Sequence, residues 1–213
     1  MMTDIIRRTR RISSVSVPLT EYQKVEYLES TGLQYFDTRV ECKEEISIIL
    51  DIKINELLNG DRVFGAVQQI SGDYYRYYWA IEANGWNFGH GADKKINTSY
   101  DTNRHIVEYN TTTSERRGVW IDNTQVLRNF TEYINLTFTM YLFASQDSDG
   151  NKPARPCRCR IYSVAIYQNN NLIREFIPCY RKNDFVAGMY ERVEGVFYSN
   201  AGTGEFIVGP DVN

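Results

Sequence analysis

The chain has 213 residues, 14% of them aromatic, and a net charge of −3 from 24 Lys and Arg against 27 Asp and Glu. That length suits one domain whose core is large enough to need neither disulfides nor metals. The mild acidity makes nucleic acid an unlikely partner for the domain, and no apolar run approaches the roughly 18 residues of a membrane helix, so no membrane insertion is expected.

Residues 1–20 read as a basic N-terminal arm ahead of a domain at 21–213. Arg7, Arg8, Arg10 and Arg11 form a like-charge block that cannot pack in a core. Two readings stand: a solvated tail, as such blocks usually are, or an assembly anchor that docks on an acidic neighbour or nucleic acid. Ile12 to Pro18 is too polar and short for the apolar region of a secretory signal. The chain is therefore expected to be made in the cytosol.

From Glu21 onward the pattern is strands and turns. Ile46, Ile48, Leu50, Ile52 and Ile54 alternate and share one face, which belongs in the core. Asn59-Gly60-Asp61 marks a turn before a strand from Arg62 to Val67. In the strand from Tyr74 to Ala83, Tyr75, Tyr77, Trp79 and Ile81 face one way, and Tyr74, Arg76, Tyr78 and Glu82 the other. Asn84-Gly85 signals a hairpin into Trp86-Asn87-Phe88. Further strands are expected at 104–110, 117–121, 137–144, 158–167, 172–178 and 196–199, with Asp122-Asn123 as a turn. Many short strands with regular turns mean an all-β sandwich or barrel. Most of the aromatics are expected to fill its core.

Two stretches carry a resemblance. One is Tyr22 to Thr38, containing Glu26-Tyr27-Leu28-Glu29-Ser30-Thr31-Gly32 and Gln34-Tyr35. The other runs from Leu172 through Phe176-Ile177-Pro178-Cys179 and Gly188-Met189-Tyr190 to Phe197-Tyr198, Gly202-Thr203-Gly204 and Phe206. Together they resemble the laminin-G-like, concanavalin A-like jelly-roll modules of phage virion proteins and gut-bacterial surface proteins. The resemblance spans about residues 21–210 and implies a jelly-roll β-sandwich of antiparallel sheets. Two departures occur: Glu191 follows Tyr190 where such modules often carry Asp, and Glu194-Gly195 stands where Asn-Gly is usual. Both keep a glycine turn between Val193 and Val196. Gly32, Gly202 and Gly204 read as fold-defining turn residues.

Jelly-roll glucanases place carboxylates at alternate positions on one strand, and no such run exists here. Glu41, Glu44 and Glu45 read as a solvated loop before the Ile46 strand. With only His90 and His105 and no nucleophile elbow, no triad can be argued. The chain is accordingly expected not to be an enzyme, with a glycoside hydrolase as a distant alternative.

Cys42, Cys157, Cys159 and Cys179 lack zinc-site spacing and read as free thiols in partly buried positions. Asp147, Asp149 and Asn151 offer oxygens at alternate positions for calcium, but no EF-hand is formed and a plain polar loop of ordinary turn formers is the preferred reading. No other cofactor is indicated. Sequons at Asn97, Asn110, Asn129 and Asn135 are read as chance.

A carbohydrate patch is expected on the polar face of Tyr74, Arg76, Tyr78 and Glu82, with Trp86 and Asn87 across the hairpin. Aromatic faces flanked by hydrogen-bonding groups suit a pyranose. The expected function is a non-catalytic structural or decoration protein of a bacteriophage virion, on capsid or tail. Its arm would contact other virion proteins, its module host-surface glycans, and a homo-oligomer would suit that role. The alternative is a carbohydrate-binding module on a bacterial cell surface.

Overall fold

The computed structural model describes residues 20–91, 97–98, 100–112, 115–128, 130, 134–148 and 152–212. Arg7, Arg8, Arg10 and Arg11 of the arm lie outside these described residues. Every regular element among the described residues is a strand, and no helix is long and apolar enough to cross a membrane.

In chain order the first strands are β1 (Tyr22–Lys24), β2 (Leu28–Glu29), β3 (Phe36–Lys43), β4 (Ile46–Ile54), β5 (Arg62–Ile70), β6 (Asp73–Glu82) and β7 (Gly85–Gly91). Then come β8 (Asn97–Thr98), β9 (Arg104–Asn110), β10 (Gly118–Ile121), β11 (Thr124–Arg128), β12 (Asn135–Leu142), β13 (Ser145–Gln146) and β14 (Pro153–Ala154). The chain closes with β15 (Cys159–Gln168), β16 (Asn171–Arg181), β17 (Ala187–Glu191), β18 (Val196–Ser199) and β19 (Ile207–Val208).

These strands form two sheets. The larger is ordered β11-β10-β9-β4-β15-β16-β17-β18, with β1 paired to β16 and β2 linking β15 to β19. The smaller runs β14-β13-β5-β6-β7-β8, with β12 between β5 and β3. All pairs are antiparallel except the short contact of β13 with β5.

The alternation of β4 explains the layering. Ile46, Ile48, Leu50, Ile52 and Ile54 are all buried. Each such side chain taken from water contributes roughly 1.5–3 kcal/mol. By register, Ile161, Val164 and Ile166 of β15 flank Ile52, Leu50 and Ile48 on one side. Val107 and Tyr109 of β9 flank Leu50 and Ile48 on the other. Against this apolar face the smaller sheet sets Phe64, Tyr77, Trp79 and Phe88, all buried. The Tyr77 hydroxyl crosses between the layers and donates to the Ile46 carbonyl at 3.2 Å. The result is a sandwich-like pair of sheets around one core.

Local sequence sets the hairpins. Asp122 and Asn123 have φ of 48° and 66°, and Asn169 and Asn170 have 50° and 63°. Each pair forms a two-residue loop, closing Ile121 on Thr124 and Gln168 on Asn171. Positive φ at both central residues is the type I′ condition, which Asn and Asp tolerate.

The two stretches that carry the family resemblance meet in space. Ala201 N–H donates to the Tyr35 carbonyl at 2.9 Å and Thr203 N–H to Leu33 at 3.2 Å. Gln34 Nε2 donates to the Glu205 carbonyl at 2.9 Å, and Tyr35 N–H to Asn200 Oδ1 at 3.1 Å. Gly202 packs so closely that an added Cβ would stand 2.1 Å from the Leu33 carbonyl oxygen. Phe36 and Phe206 stack beneath this clasp, with ring centroids 4.7 Å apart.

Glu191, the departure after Tyr190, is fully buried and has a structural task. Its Oε1 accepts Glu175 N–H and Val193 N–H, both at 2.8 Å, and its Oε2 accepts Glu194 N–H at 2.7 Å. One carboxylate thus satisfies the turn that joins β17 to β18, and Gly195 completes that turn with φ 74°.

Candidate functional site

The residues expected to form a carbohydrate patch lie on β6 and β7, and the structure divides them. Tyr77, Trp79 and Ile81 enter the core as read, leaving Tyr74, Arg76, Tyr78 and Glu82 on the outer face. Tyr74, at 44% exposure, lies open near the β5–β6 turn, and Arg76 NH1 donates to its carbonyl at 2.8 Å. Tyr78 is closed off at 1% exposure. Its ring lies on Gly89, where an added Cβ would come within 2.8 Å, and the Arg62 guanidinium covers it at 4.4 Å from the ring centroid. Arg62 NH1 in turn pairs with Glu82 at 3.1 Å. Burial pushes the Tyr78 hydroxyl's pKa up, against the pull of Arg62 and Arg76.

Trp86 corrects the expectation that it joins the polar face. At 2% exposure it lies in the core, edge-on to Trp79 with ring centroids 5.0 Å apart. The reason is parity. The two-residue loop is Ala83-Asn84, which pairs Glu82 with Gly85 and Ile81 with Trp86; the expected loop at Asn84-Gly85 would have set Trp86 opposite Ala83, on that same core face. Across such a loop, even-numbered positions share the face of odd-numbered ones. Asn87 pairs with Ala80 on the outer face, yet it too is only 2% exposed. Of the six expected residues, Tyr74, Arg76 and Glu82 retain accessible surface.

A second constellation was not legible in the sequence. Glu44, read as part of a solvated loop, is buried at the corner between β3 and β4. Its Oε1 lies 3.1 Å from His90 Nε2 and accepts Ile134 N–H at 3.1 Å. Its Oε2 accepts from Arg117 NH1 at 2.8 Å. His90 Nδ1 is 3.1 Å from the Tyr109 hydroxyl, which donates to the Gly89 carbonyl at 2.8 Å. The His90 ring stacks on Phe130 at 4.2 Å. Arg117 also donates from Nε to the Phe130 carbonyl at 2.9 Å and from NH1 to the Thr111 carbonyl. Burial raises the Glu44 pKa, but hydrogen bonds and charge from His90 and Arg117 outweigh that and hold it below the usual carboxylate range. Burying a carboxylate is expensive unless such partners are present. The network ties together β4's start, β7, β9 and the segment before β12, and no spacing rule could have joined residues so far apart in sequence.

The calcium reading falls mostly outside the described residues, as Asp149 and Asn151 do. Asp147 Oδ1 accepts the Ser148 N–H at 2.7 Å. Among the described residues no group of three or more His, Cys, Asp or Glu side chains is placed to hold a metal ion. Cys42, Cys157, Cys159 and Cys179 are free and buried. Burial pushes the Cys179 thiol up to about 12 and the Cys42 thiol well above its ordinary value.

No family model matches the chain, and no curated protein matches it. Among solved structures the chain is similar to a Trypanosoma rangeli sialidase, with 13% identity and a TM-score of 0.38. The match covers 81% of this chain, which spans 36% of the sialidase's length. The expectation that the chain is not an enzyme is corrected here, because the protein matched is an enzyme. At that TM-score the likeness supplies neither a catalytic residue nor a substrate.

Proposed function

We propose that the chain is a virion display protein of a bacteriophage. Its concanavalin A-like, laminin-G-like jelly roll is held to other virion proteins by the N-terminal arm and presents a surface to host carbohydrate. The observation that carries this reading is the clasp: the two stretches that resemble the family's bracketing motifs interlock through Gln34, Asn200 and the Leu33–Thr203 pairing.

The route of the chain supports a tether at one end. Lys182 N–H donates to the Glu21 carbonyl, and Val212 N–H to the Lys24 carbonyl, both at 2.9 Å. The arm therefore meets the domain beside Arg181, at the end of β16, where β1 pairs with it.

Two measurements test this. Deletion of residues 1–18 is expected to leave the domain folded and to abolish incorporation into phage particles; normal incorporation would remove the anchor from the proposal. A glycan array probed with the full chain is expected to show one glycan class, with the signal weakened in Tyr74→Ala. A blank array would leave a structural role without adhesion.

A further inference from the structure

A groove of about 460 Å³ opens between the two layers, lined by Arg39, Val40, Glu41 and Lys43 of β3, Thr139, Gln168, Ile46, and Ile173 and Arg174 of β16. That volume suits one or two sugar rings.

Two arginines reach this groove in ways that regular sheet geometry would not give. Arg39 sits in an irregular stretch of β3, where Asp37 pairs with Tyr141 but Glu41 already pairs with Thr139. Its φ is 59°, a left-handed conformation that a long side chain rarely adopts. Bulges of this kind re-aim side chains, and strain of this kind collects at binding sites. The bulge sends the Arg39 guanidinium across to the larger sheet, 5.3 Å from the Tyr198 ring centroid. Arg39 forms no ion pair among the described residues.

Arg174 pairs with Ile166 across β15 and β16, and Ile166 is a core residue, so Arg174 stands on the inner face of the larger sheet. Its NH1 contacts Glu194 Oε1 at 2.7 Å and the Ile173 carbonyl at 2.8 Å. Its Nε is buried and has no hydrogen-bond partner among the described residues, and the same holds for the Tyr198 hydroxyl. Both atoms thus keep hydrogen-bonding capacity that a bound ligand can use. Burial raises the Tyr198 pKa, while Arg174 and Arg39 pull it the other way, which places both cations near that ring. Of the cations in the lining, Lys43 engages Glu41 and Arg174 engages Glu194 through NH1, so Arg39 is the one without an ion pair among the described residues.

We propose that this groove is a binding site for a carboxylated sugar, with Arg39 and Arg174 holding the carboxylate and Thr139 and Gln168 facing the ring hydroxyls. Guanidinium forks match a planar carboxylate, whereas a neutral sugar has nothing to offer two cations. The site does not depend on the virion reading. It lies toward the Asn171 end of β16, with Arg174 about 23 Å from Arg181 at 3.3 Å per residue, and so at the opposite end of that strand from its pairing with β1.

The test is isothermal titration of the full chain with a galacturonate disaccharide, the corresponding neutral galactose disaccharide, and inorganic phosphate. Saturable binding of the galacturonate, weakening with salt, is the expected result. Arg39→Gln, at an exposed position, and Arg174→Lys, which keeps the charge but loses the fork, are each expected to weaken it about tenfold, the scale of one lost charge-assisted hydrogen bond. The proposal is overturned by no binding of the galacturonate, by equal binding of the neutral disaccharide or of phosphate, or by an Arg39→Gln protein that binds as well as the parent. Because Arg39 is outside the core, that last comparison holds even if Arg174→Lys fails to fold.

Discussion

His90 Nε2 stands 3.1 Å from Glu44 Oε1 inside the sandwich, with both side chains buried. The contact joins the smaller sheet's β7 to the corner where the chain passes from β3 into β4. Arg117 holds the other carboxylate oxygen at 2.8 Å. A glutamine there would keep one acceptor oxygen but turn an amide NH2 toward the partners of the other, and it would leave the Arg117 guanidinium buried without its counter-charge. Glu44→Gln is therefore expected to destabilise the protein by about 3 kcal/mol. A fall in the urea midpoint with an unchanged slope would show it, and an unshifted midpoint would mean that the network contributes nothing.

The same residue sets an acid limit. The Glu44 pKa is lower in the folded state than in the unfolded chain. Its contribution is then fully present above the unfolded carboxylate pKa, about 4.3, and is lost as pH falls through the lower folded value. Stability measured from pH 6 downward should decline less steeply in Glu44→Gln than in the parent. Parallel profiles would show that Glu44 is not the group responsible.

His105 acts with the opposite sign. Its ring lies between Asp122 Oδ2 at 2.6 Å and Asp101 Oδ1 at 2.9 Å. Partial burial lowers its pKa, and the bonds to Asp101 and Asp122 more than reverse this, giving a net rise above 6.5. A raised pKa contributes stability that is full below the unfolded value and is lost as pH rises through the folded one. His105→Asn should flatten that loss on the alkaline side of 6.5. An NMR titration placing His105 at or below 6.5 would contradict the geometry.

The strand pattern was legible wherever residues alternate or carry turn chemistry. β4 reads directly from Ile46 to Ile54, and Asp122-Asn123 forms the turn its residue types require. The site was less legible because sequence periodicity does not say what covers a face. Tyr78 reads as an outer-face aromatic, and it is one, but Arg62 and Gly89 close over it from neighbouring strands. Glu44 and Arg39 were missed for a related reason: each depends on a residue more than 40 positions away, His90 and Tyr198 respectively.

The clasp makes a separate prediction. Gly202 leaves only 2.1 Å between a would-be Cβ and the Leu33 carbonyl oxygen, a backbone atom that cannot swing aside. Gly202→Ala should push the 33–35 and 200–205 segments apart and cost about 2 kcal/mol. Hydrogen exchange at the Ala201 and Thr203 amides should quicken ahead of exchange in β4. Unaltered protection at those amides would show that the clasp yields without loss.

The two faces of β6 and β7 decide which variants can report on binding. Trp86→Ala removes a buried indole packed on Trp79 and on His105, with ring centroids 5.0 and 5.3 Å away. It should cost about 3–5 kcal/mol, so any loss of ligand binding in that variant would follow from loss of structure. Tyr74, 44% exposed on the outer face, can be truncated with a stability change within about 0.5 kcal/mol. Thermal melts of the two variants should therefore diverge strongly, with Tyr74→Ala close to the parent. Should Trp86→Ala melt like the parent, the placement of Trp86 in the core would be wrong and the patch would regain its indole. Should Tyr74→Ala lose glycan binding at unchanged stability, the outer face of β6 would be the adhesive surface, because the truncation removes an exposed ring and leaves the core intact.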